Sequence, residues 1–316
     1  MTDERTQHAP RISVVIPSFQ RPRQLDACLS ALVAQQLPAS EFEVIVVDDG
    51  SAIPPRDVIA KYSVRLPLRL IEQRNAGPAS ARNTGARAAR GTHVVFTDDD
   101  CRADPEWLTA LVACIAMHPD AAIGGRIVNA LPQRLCSTAS QQLIDYLYRY
   151  HNRDDSTARF LITANVCVAR RTFIALGGFD ESFPLAAAED RDFCERWLDA
   201  DLPMVYCPGA VMQHAHDLTL VTFCRQHYNY GRGAHHLHRA RARRGQGSFR
   251  LESLRFYRDL ILAPFHTPTS APKNAPRPSR PVTLSVLLML SQLMYAVGYA
   301  VERWRARGPA LLPVRA

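Results

Sequence analysis

The feature that most restricts this chain is the alternation of two hydrophobic periods over its first 130 residues. Ile12-Ser13-Val14-Val15-Ile16 is a short β-branched run stopped by Pro17. Val44-Ile45-Val46-Val47 is a second, ending at Asp48-Asp49-Gly50-Ser51. Leu68-Arg69-Leu70-Ile71 and Thr92 to Thr97 supply a third and a fourth. Between the first two, Leu25, Leu29, Leu32, Val33 and Leu37 recur on one helical face, and Ala79 to Ala89 reads as another helix. Pro105 suits the first turn of a further helix, with Asp104 as its cap. Strands that are apolar without alternation are buried on both faces, as in a parallel sheet covered by helices on either side. Ligands of such sheets bind beyond the carboxyl ends of the strands. There this chain carries its acidic clusters.

Two of these clusters, Asp48-Asp49 and Asp98-Asp99-Asp100, each follow a strand. An Asp-Gly turn explains the first without any ligand. Three adjacent Asp repel one another, and close in sequence only Arg102 offers a countercharge. A hard divalent cation, Mg²⁺ or Mn²⁺, shared with a diphosphate neutralises such a triplet. Between the clusters, Asn75-Ala76-Gly77-Pro78 opens a helix that carries Arg82. That arrangement suits a nucleotide's phosphates, and equally a capped amphipathic helix with solvated arginines. No G-x-G-x-x-G and no P-loop signature occurs. After Gly177-Gly178-Phe179, the pair Glu189-Asp190 precedes Phe193, Trp197 and Leu198 at helical spacing. The pair either complements a helix dipole or acts as a general base, and the residues alone leave both open.

As an ordered set the motifs are far more specific. Val14-Val15-Ile16-Pro17-Ser18-Phe19-Gln20-Arg21-Pro22, Val46-Val47-Asp48-Asp49-Gly50-Ser51, Arg82-Asn83-Thr84-Gly85, Asp98-Asp99-Asp100 and Glu189-Asp190 resemble the family 2 glycosyltransferases, over about residues 11–216. The resemblance implies an α/β GT-A fold: a Rossmann-like, mostly parallel central sheet with a mixed acceptor lobe, here followed by a C-terminal helical, membrane-associating segment. It implies Pro17 and Arg21 lining a nucleotide pocket and Asp49 reading the nucleobase with Asp48 beside it. Asn75 and Arg82 join these as donor-binding candidates. A D-x-D motif falls on Asp98 and Asp100, with Asp100 as ligand of Mg²⁺ or Mn²⁺ and Asp98 contacting the ribose or the metal's waters. His214 or His216 resembles a late His that helps hold the metal in some such enzymes. Asp190 is the implied general base, with Glu189 as alternate, in a single displacement that inverts the anomeric configuration. The sequence departs from the family at Gln20, where Asn is frequent, and at Cys101, where an acidic residue is common. Neither change removes a catalytic atom.

The expected function is therefore transfer of a sugar from a nucleotide-diphosphate sugar to a hydroxyl of a lipid-linked or cell-envelope glycan. A non-catalytic nucleotide-sugar-binding scaffold shares the fold but has no need of a base. A nucleotidyltransferase usually has a Gly-rich loop after its first strand, whereas Pro17-Ser18-Phe19-Gln20 contains no Gly.

Net charge is +8, yet residues 225–258 hold nine Arg against Glu252 alone, so the remainder is neutral. Such a local patch fits an anionic membrane surface better than nucleic acid, which is not expected as a partner. The eight Cys form no C-x-x-C pair, and Met1 to Arg11 lacks the apolar core of a signal peptide, so a reducing cytoplasmic setting is expected. Val282 to Val301 runs without a charge, about 30 Å as a helix, with Tyr295, Tyr299 and Trp304 at one end. Spanning, interfacial and buried placements all fit it. His235-His236-Leu237-His238 could bind a metal adventitiously but reads first as solvated surface. The expected organisation is a polar tail (1–10), a donor half (11–130), an acceptor half (131–224), a basic helical segment (225–263), a Pro-rich linker (264–281), a hydrophobic helix (282–301) and a basic tail (302–316). The expected setting is the cytoplasmic side of the cell membrane, peripheral or single-span. Truncation after Ala263 is expected to leave a folded catalytic domain.

Overall fold

The computed structural model describes residues 9–152, 154, 156–183, 187–246, 252–266 and 280–307. The first half runs β1 (Ile12–Ser18), α1 (Pro22–Val33), β2 (Phe42–Asp48), α2 (Arg56–Ser63), β3 (Leu68–Glu72), α3 (Pro78–Ala88), β4 (His93–Phe96), β5 (Cys101–Ala103), α4 (Trp107–Met117) and β6 (Ala122–Asn129). Then follow α5 (Leu135–His151), β7 (Val166–Ala169), α6 (Arg170–Ala175), α7 (Glu189–Asp199), β8 (Met204–His214), α8 (Leu220–Arg243), α9 (Leu254–Leu262) and α10 (Pro281–Arg305).

The strands form one sheet in the order β3-β2-β1-β4-β7-β6-β8-β5. The four apolar runs read from sequence are the parallel half, β1 to β4. Beyond β4 the sheet is mixed: β6 and β8 are parallel to each other, while β7 and β5 run antiparallel to their neighbours. The segment 131–224, expected as the acceptor half with a mixed lobe, thus supplies β7 and β8 to the same sheet. The unbroken apolar runs follow from burial on both faces. Val14, Ile16, Val44 and Val46 pack with Leu25 and Leu29 of α1 and Trp107 and Leu111 of α4. Val15, Ile45 and Val47 point the other way, toward Phe96, Phe173, Phe193 and Trp197.

Gly85 lets α3 lie flush on this second face, since a Cβ there would overlap the side chain of Val15. Arg82 and Asn83 are thereby buried inside the fold rather than solvated. The helix expected from Pro105 begins instead at Trp107, with no side-chain cap. The reason lies in β8: Asp104 N donates to Val211 O at 3.1 Å, which keeps Asp104 in strand pairing.

The C-terminal segment is not an appendage. Gly231 of α8 sits against the backbone of Tyr295 and Tyr299, and Gly298 of α10 against the backbone of Tyr228, so the two helices touch main chain to main chain. Arg232 Nε donates to Glu302 Oε2 across the pair at 2.7 Å. Leu284 and Leu288 of α10 are fully buried, against Phe223 and Leu260 among others. A chain ending at Ala263 therefore loses part of its own core, contrary to the expectation of a self-sufficient domain. The basic segment is partly neutralised too: Arg241 pairs with Glu195, and Arg244 with Asp192 and Glu195. His235 and Leu237 are buried rather than solvated, because that face of α8 is the one that packs. Residues 267–279 of the Pro-rich stretch, 1–8 of the first tail and 308–316 of the last lie outside the described residues.

Candidate active site

Parallel register gathers the site. Ser18 pairs with Asp48 and Phe96 with Val15, so the segments after β1, β2 and β4 emerge at one edge. At the far end of the sheet Cys101 of β5 lies opposite His214 of β8, and Ala215 N donates to Asp100 O at 2.8 Å. That antiparallel contact brings His214 to the Asp triplet. A cleft of about 700 Å³ opens over this edge. Its walls include Pro17, Arg21, Asp49, Asn75, Arg82, Asp98, Asp100, Glu189, Asp190 and His214, which are the residues read from sequence apart from Asp48.

The three adjacent carboxylates have three different environments. Asp98 Oδ1 accepts from Arg82 Nη2 at 2.7 Å. Asp99 is buried, accepting from Ser18 Oγ at 2.9 Å and Arg21 Nη1 at 3.3 Å. Burial pushes Asp99 up to about 7, against the pull of Arg21. Asp100 lies 3.2 Å from His214 Nε2 through Oδ1 and 3.2 Å from Arg21 Nη1 through Oδ2. Burial raises its pKa, but His214, His216 and Arg21 outweigh that and hold the carboxyl well below its usual range. His214 is raised correspondingly: burial opposes its charge and Asp100 overcomes the opposition. The countercharges are thus Arg21, Arg82 and His214, all remote in sequence, and not Arg102, which is exposed on β5.

Asp100 Oδ1 is buried and lacks an aligned hydrogen bond. His214 Nε2 lies 3.2 Å away, and a divalent cation between the two would satisfy it. Ligand atoms of Asp100, Cys101 and His214 lie within 4.8 Å of one another. Burial drives the Cys101 thiol far above its ordinary range, and a neutral thiol is a poor ligand for a hard cation. Asp100 and His214 remain, a carboxylate and an imidazole that fit one divalent ion with positions left for diphosphate oxygens. Asp98, held by Arg82, is not in this group.

Asp49 is an organiser of the donor side. Its Oδ1 accepts from Gln73 Nε2 at 2.8 Å and Ala76 N at 2.9 Å, and its Oδ2 from Gly77 N at 2.9 Å. Asn75 Nδ2 donates back to Asp49 O at 2.9 Å. Asp48 differs from expectation: it is 1% exposed, accepts from Ser51 N at 3.1 Å and does not reach the cleft. It faces inward because β2 alternates, and Asp49 takes the outward position.

Glu189 and Asp190 open α7 after Ala188, whose φ of 72° is left-handed without glycine. Such backbone is uncommon for a non-glycine residue and clusters at functional sites. Glu189 is buried and accepts from Arg82 Nη1 at 3.1 Å, so Arg82 bridges Asp98 to Glu189. Burial and the neighbouring Asp190 push Glu189 up to about 7. Asp190 is also raised by burial, and its Oδ1 accepts from Arg191 N at 2.8 Å. Asn83 fixes the preceding turn, donating to Phe179 O at 2.8 Å and accepting from Phe179 N at 2.9 Å.

Sequence reasoning missed half of the cleft. Beyond the acids its walls become Leu143, Ile144 and Leu147 of α5, Tyr230 of α8, Phe256 and Tyr257 of α9, and Tyr295 of α10. These sit on four helices, and each read singly is an ordinary apolar helical position. His216 also lines the cleft, and burial with the His214 charge lowers it to about 4.

Comparison with known proteins places this geometry. Residues 13–176 match the sequence profile of glycosyl transferase family 2. The chain is 40% identical over 113 residues to validoxylamine A glucosyltransferase of Streptomyces hygroscopicus subsp. jinggangensis, covering 35% of this chain but only 27% of that protein. It is 26% identical over 212 residues to glycosyltransferase AglE of Haloferax volcanii, covering 66% of this chain and 68% of the relative. Among solved structures, mannosyltransferase PcManGT from Pyrobaculum calidifontis, in complex with GDP-Man and Mn²⁺, superposes with a TM-score of 0.64 at 18% identity, covering 95% of this chain and 89% of that one. That likeness is one of fold, and the fold is GT-A. A profile match over more than half of the chain, on a sheet whose strand ends carry the expected carboxylates, leaves one assignment: the chain belongs to glycosyl transferase family 2.

Proposed function

We propose that the protein is an inverting glycosyltransferase that moves a sugar from a nucleotide-diphosphate sugar to a hydroxyl of a lipid-linked or envelope glycan acceptor. The observation that carries this is one cleft holding the Asp100–His214 pair, the Asp49–Asn75 loop and the Glu189–Asp190 pair together. The neighbouring mannosyltransferase was captured with GDP-Man and Mn²⁺, which supports a nucleotide-sugar donor and a divalent metal. Residues 11–130 then serve as donor half and 131–224 as acceptor half.

Asp100 and His214 would hold the cation, and the imidazole would favour Mn²⁺ over Mg²⁺, which prefers oxygen ligands. When bound, the cation stabilises negative charge on the departing diphosphate. Pro17, Arg21 and the loop organised by Asp49 orient the nucleotide, and Asp98 meets the ribose. The acceptor oxygen attacks the anomeric carbon as the carbon–diphosphate bond breaks, and Asp190 takes the hydroxyl proton. Glu189 is the weaker candidate base because Arg82 already engages it. The apolar end of the cleft, with Leu143, Leu147, Phe256 and Tyr295, supports an acceptor that carries an apolar portion. The protein on this reading works at the cytoplasmic face of the cell membrane.

The test is Asp190→Asn beside Glu189→Gln, with release of nucleotide diphosphate from UDP- and GDP-sugars followed with Mn²⁺ and a bacterial polar-lipid extract. Loss of a general base costs roughly 10²–10⁴ in rate, so Asp190→Asn should fall by at least about a hundredfold while still binding UDP or GDP. Wild-type rates in both variants defeat the mechanism.

A further inference from the structure

Among the described residues, the outward face of α10 is apolar and uncovered. Val282, Val286, Met289, Leu293, Val297 and Trp304 recur at intervals of three, four and seven, so they share one side of the helix, and all are exposed, Leu293 by 57% and Trp304 by 75%. Where α9 meets α10, Ser285 Oγ donates to Ile261 O at 2.7 Å, and beside that junction Leu262 and Phe265 are exposed as well. Exposed arginines bracket the stripe: Arg280 before it, and Arg303, Arg305 and Arg307 at its end.

We infer that α10 lies in the plane of an anionic bilayer, its apolar stripe in the headgroup–acyl boundary, and does not cross it. By composition and length α10 has the makings of a span: an 18-residue stretch of it has a mean hydropathy of 1.7, and the helix is about 37 Å long. Its packing forbids one. The opposite side is fully engaged: Leu284, Leu288 and Ser291 are buried, and Gly298 abuts the main chain of α8. A transmembrane α10 would drag α8, with Arg225, Arg232, Arg239 and Arg241, into hydrocarbon, or strip its own packed face. A helix with one apolar face, a terminal Trp and flanking arginines is what lies in an interface.

Charge decides between lipid and a second copy of the chain. Glu302 is the only acidic residue of α10, and it is taken by Arg232 at 2.7 Å and His236 at 3.3 Å. Two α10 helices set side by side in parallel would oppose Arg303 and Arg305 to themselves. Set antiparallel, they would oppose them to Arg280. Neither arrangement supplies an acid, whereas anionic headgroups do. Gln292 and Tyr295, on other sides of α10, line the cleft. Docking therefore brings the apolar end of the cleft to the acyl surface, and in this consequence the inference rests on the acceptor reading above.

The experiment is flotation of the full chain with vesicles of phosphatidylcholine alone or mixed with phosphatidylglycerol, comparing wild type, M289E/L293E and R303E/R305E. Wild type should float with the mixed vesicles and be released from membranes by alkaline carbonate. M289E/L293E should bind at least tenfold more weakly, and R303E/R305E should lose the preference for phosphatidylglycerol. Both variants should keep the wild-type unfolding temperature and the wild-type binding of UDP or GDP with Mn²⁺. Carbonate-resistant protein would mean a span and overturn the inference. So would unchanged flotation of M289E/L293E, or a wild-type dimer that this variant dissociates. Failure of the wild type to bind UDP or GDP at all would sink the proposed activity while leaving the flotation result to stand on its own.

Discussion

Arg82 offers the sharpest perturbation, because one buried cation bridges two carboxylates from different parts of the chain. It is 4% exposed, donates to Asp98 at 2.7 Å and to Glu189 at 3.1 Å, and lies 5.9 Å from the Phe179 ring. Arg82→Met keeps volume and removes the charge. Removing one partner of a buried pair costs about 3–5 kcal/mol. We expect the lower end near neutral pH, for two reasons. Glu189 already sits at about 7, so protonating it there costs little. Asp98 has a side chain 26% exposed and is partly solvated. A loss of about 3 kcal/mol lowers the unfolding temperature by roughly 4–5 °C in a chain of 316 residues. The pH dependence carries the test. A carboxyl whose folded pKa exceeds its unfolded value costs stability as pH rises from the unfolded pKa, 4.5, to the folded one, and the cost is complete above it. Without Arg82 the folded pKa of Glu189 climbs past 7, so the window extends upward and the variant's deficit must grow between about pH 6 and about pH 8. Thermal unfolding of metal-free protein across that range measures it. A deficit that is constant with pH, or absent, refutes the bridging role.

Asp100→Asn should weaken Mn²⁺ binding by more than about a hundredfold, since even losing an outer partner of a metal ligand costs 10–100-fold; calorimetric titration with Mn²⁺ and UDP or GDP checks this, and unchanged affinity refutes the ligand assignment. Gly298→Ala should destabilise by about 1–3 kcal/mol because the new methyl meets the carbonyl of Tyr228. The matched control Gly209→Ala, whose nearest neighbour is Ala110 Cβ at 3.8 Å, should be near neutral in the same melts. His227 is buried and burial lowers it to about 4, so the unfolded chain takes the proton first between the ordinary 6.5 and 4. Stability from this residue is present above 6.5 and lost as pH falls through that window, roughly 3 kcal/mol at most, and unfolding of His227→Gln at about pH 7 and about pH 5 should show a flatter profile.

The sequence by itself determined the parallel half of the sheet. β-branched runs buried on both faces, separated by helical periods, admit few other arrangements, and β1 to β4 appear where the runs stood. It also determined which strand ends carry acids, because Asp48-Asp49 and Asp98-Asp99-Asp100 directly follow apolar runs. Local pattern did not reveal which member of each cluster does what. Asp48 and Asp49 are adjacent, but pleating turns one inward to Ser51 and the other to the loop at Ala76 and Gly77. Only the tertiary structure supplied the countercharges, since Arg21, Arg82 and His214 reach the Asp triplet across gaps of 16 to 114 residues that no spacing rule spans. It alone decided that Arg82 is a buried bridge and that α10 is built into α8 by a reciprocal pair of glycines. Periodicity is a property of one segment and fixes one element's faces. Which faces meet depends on the energy of the whole packed chain.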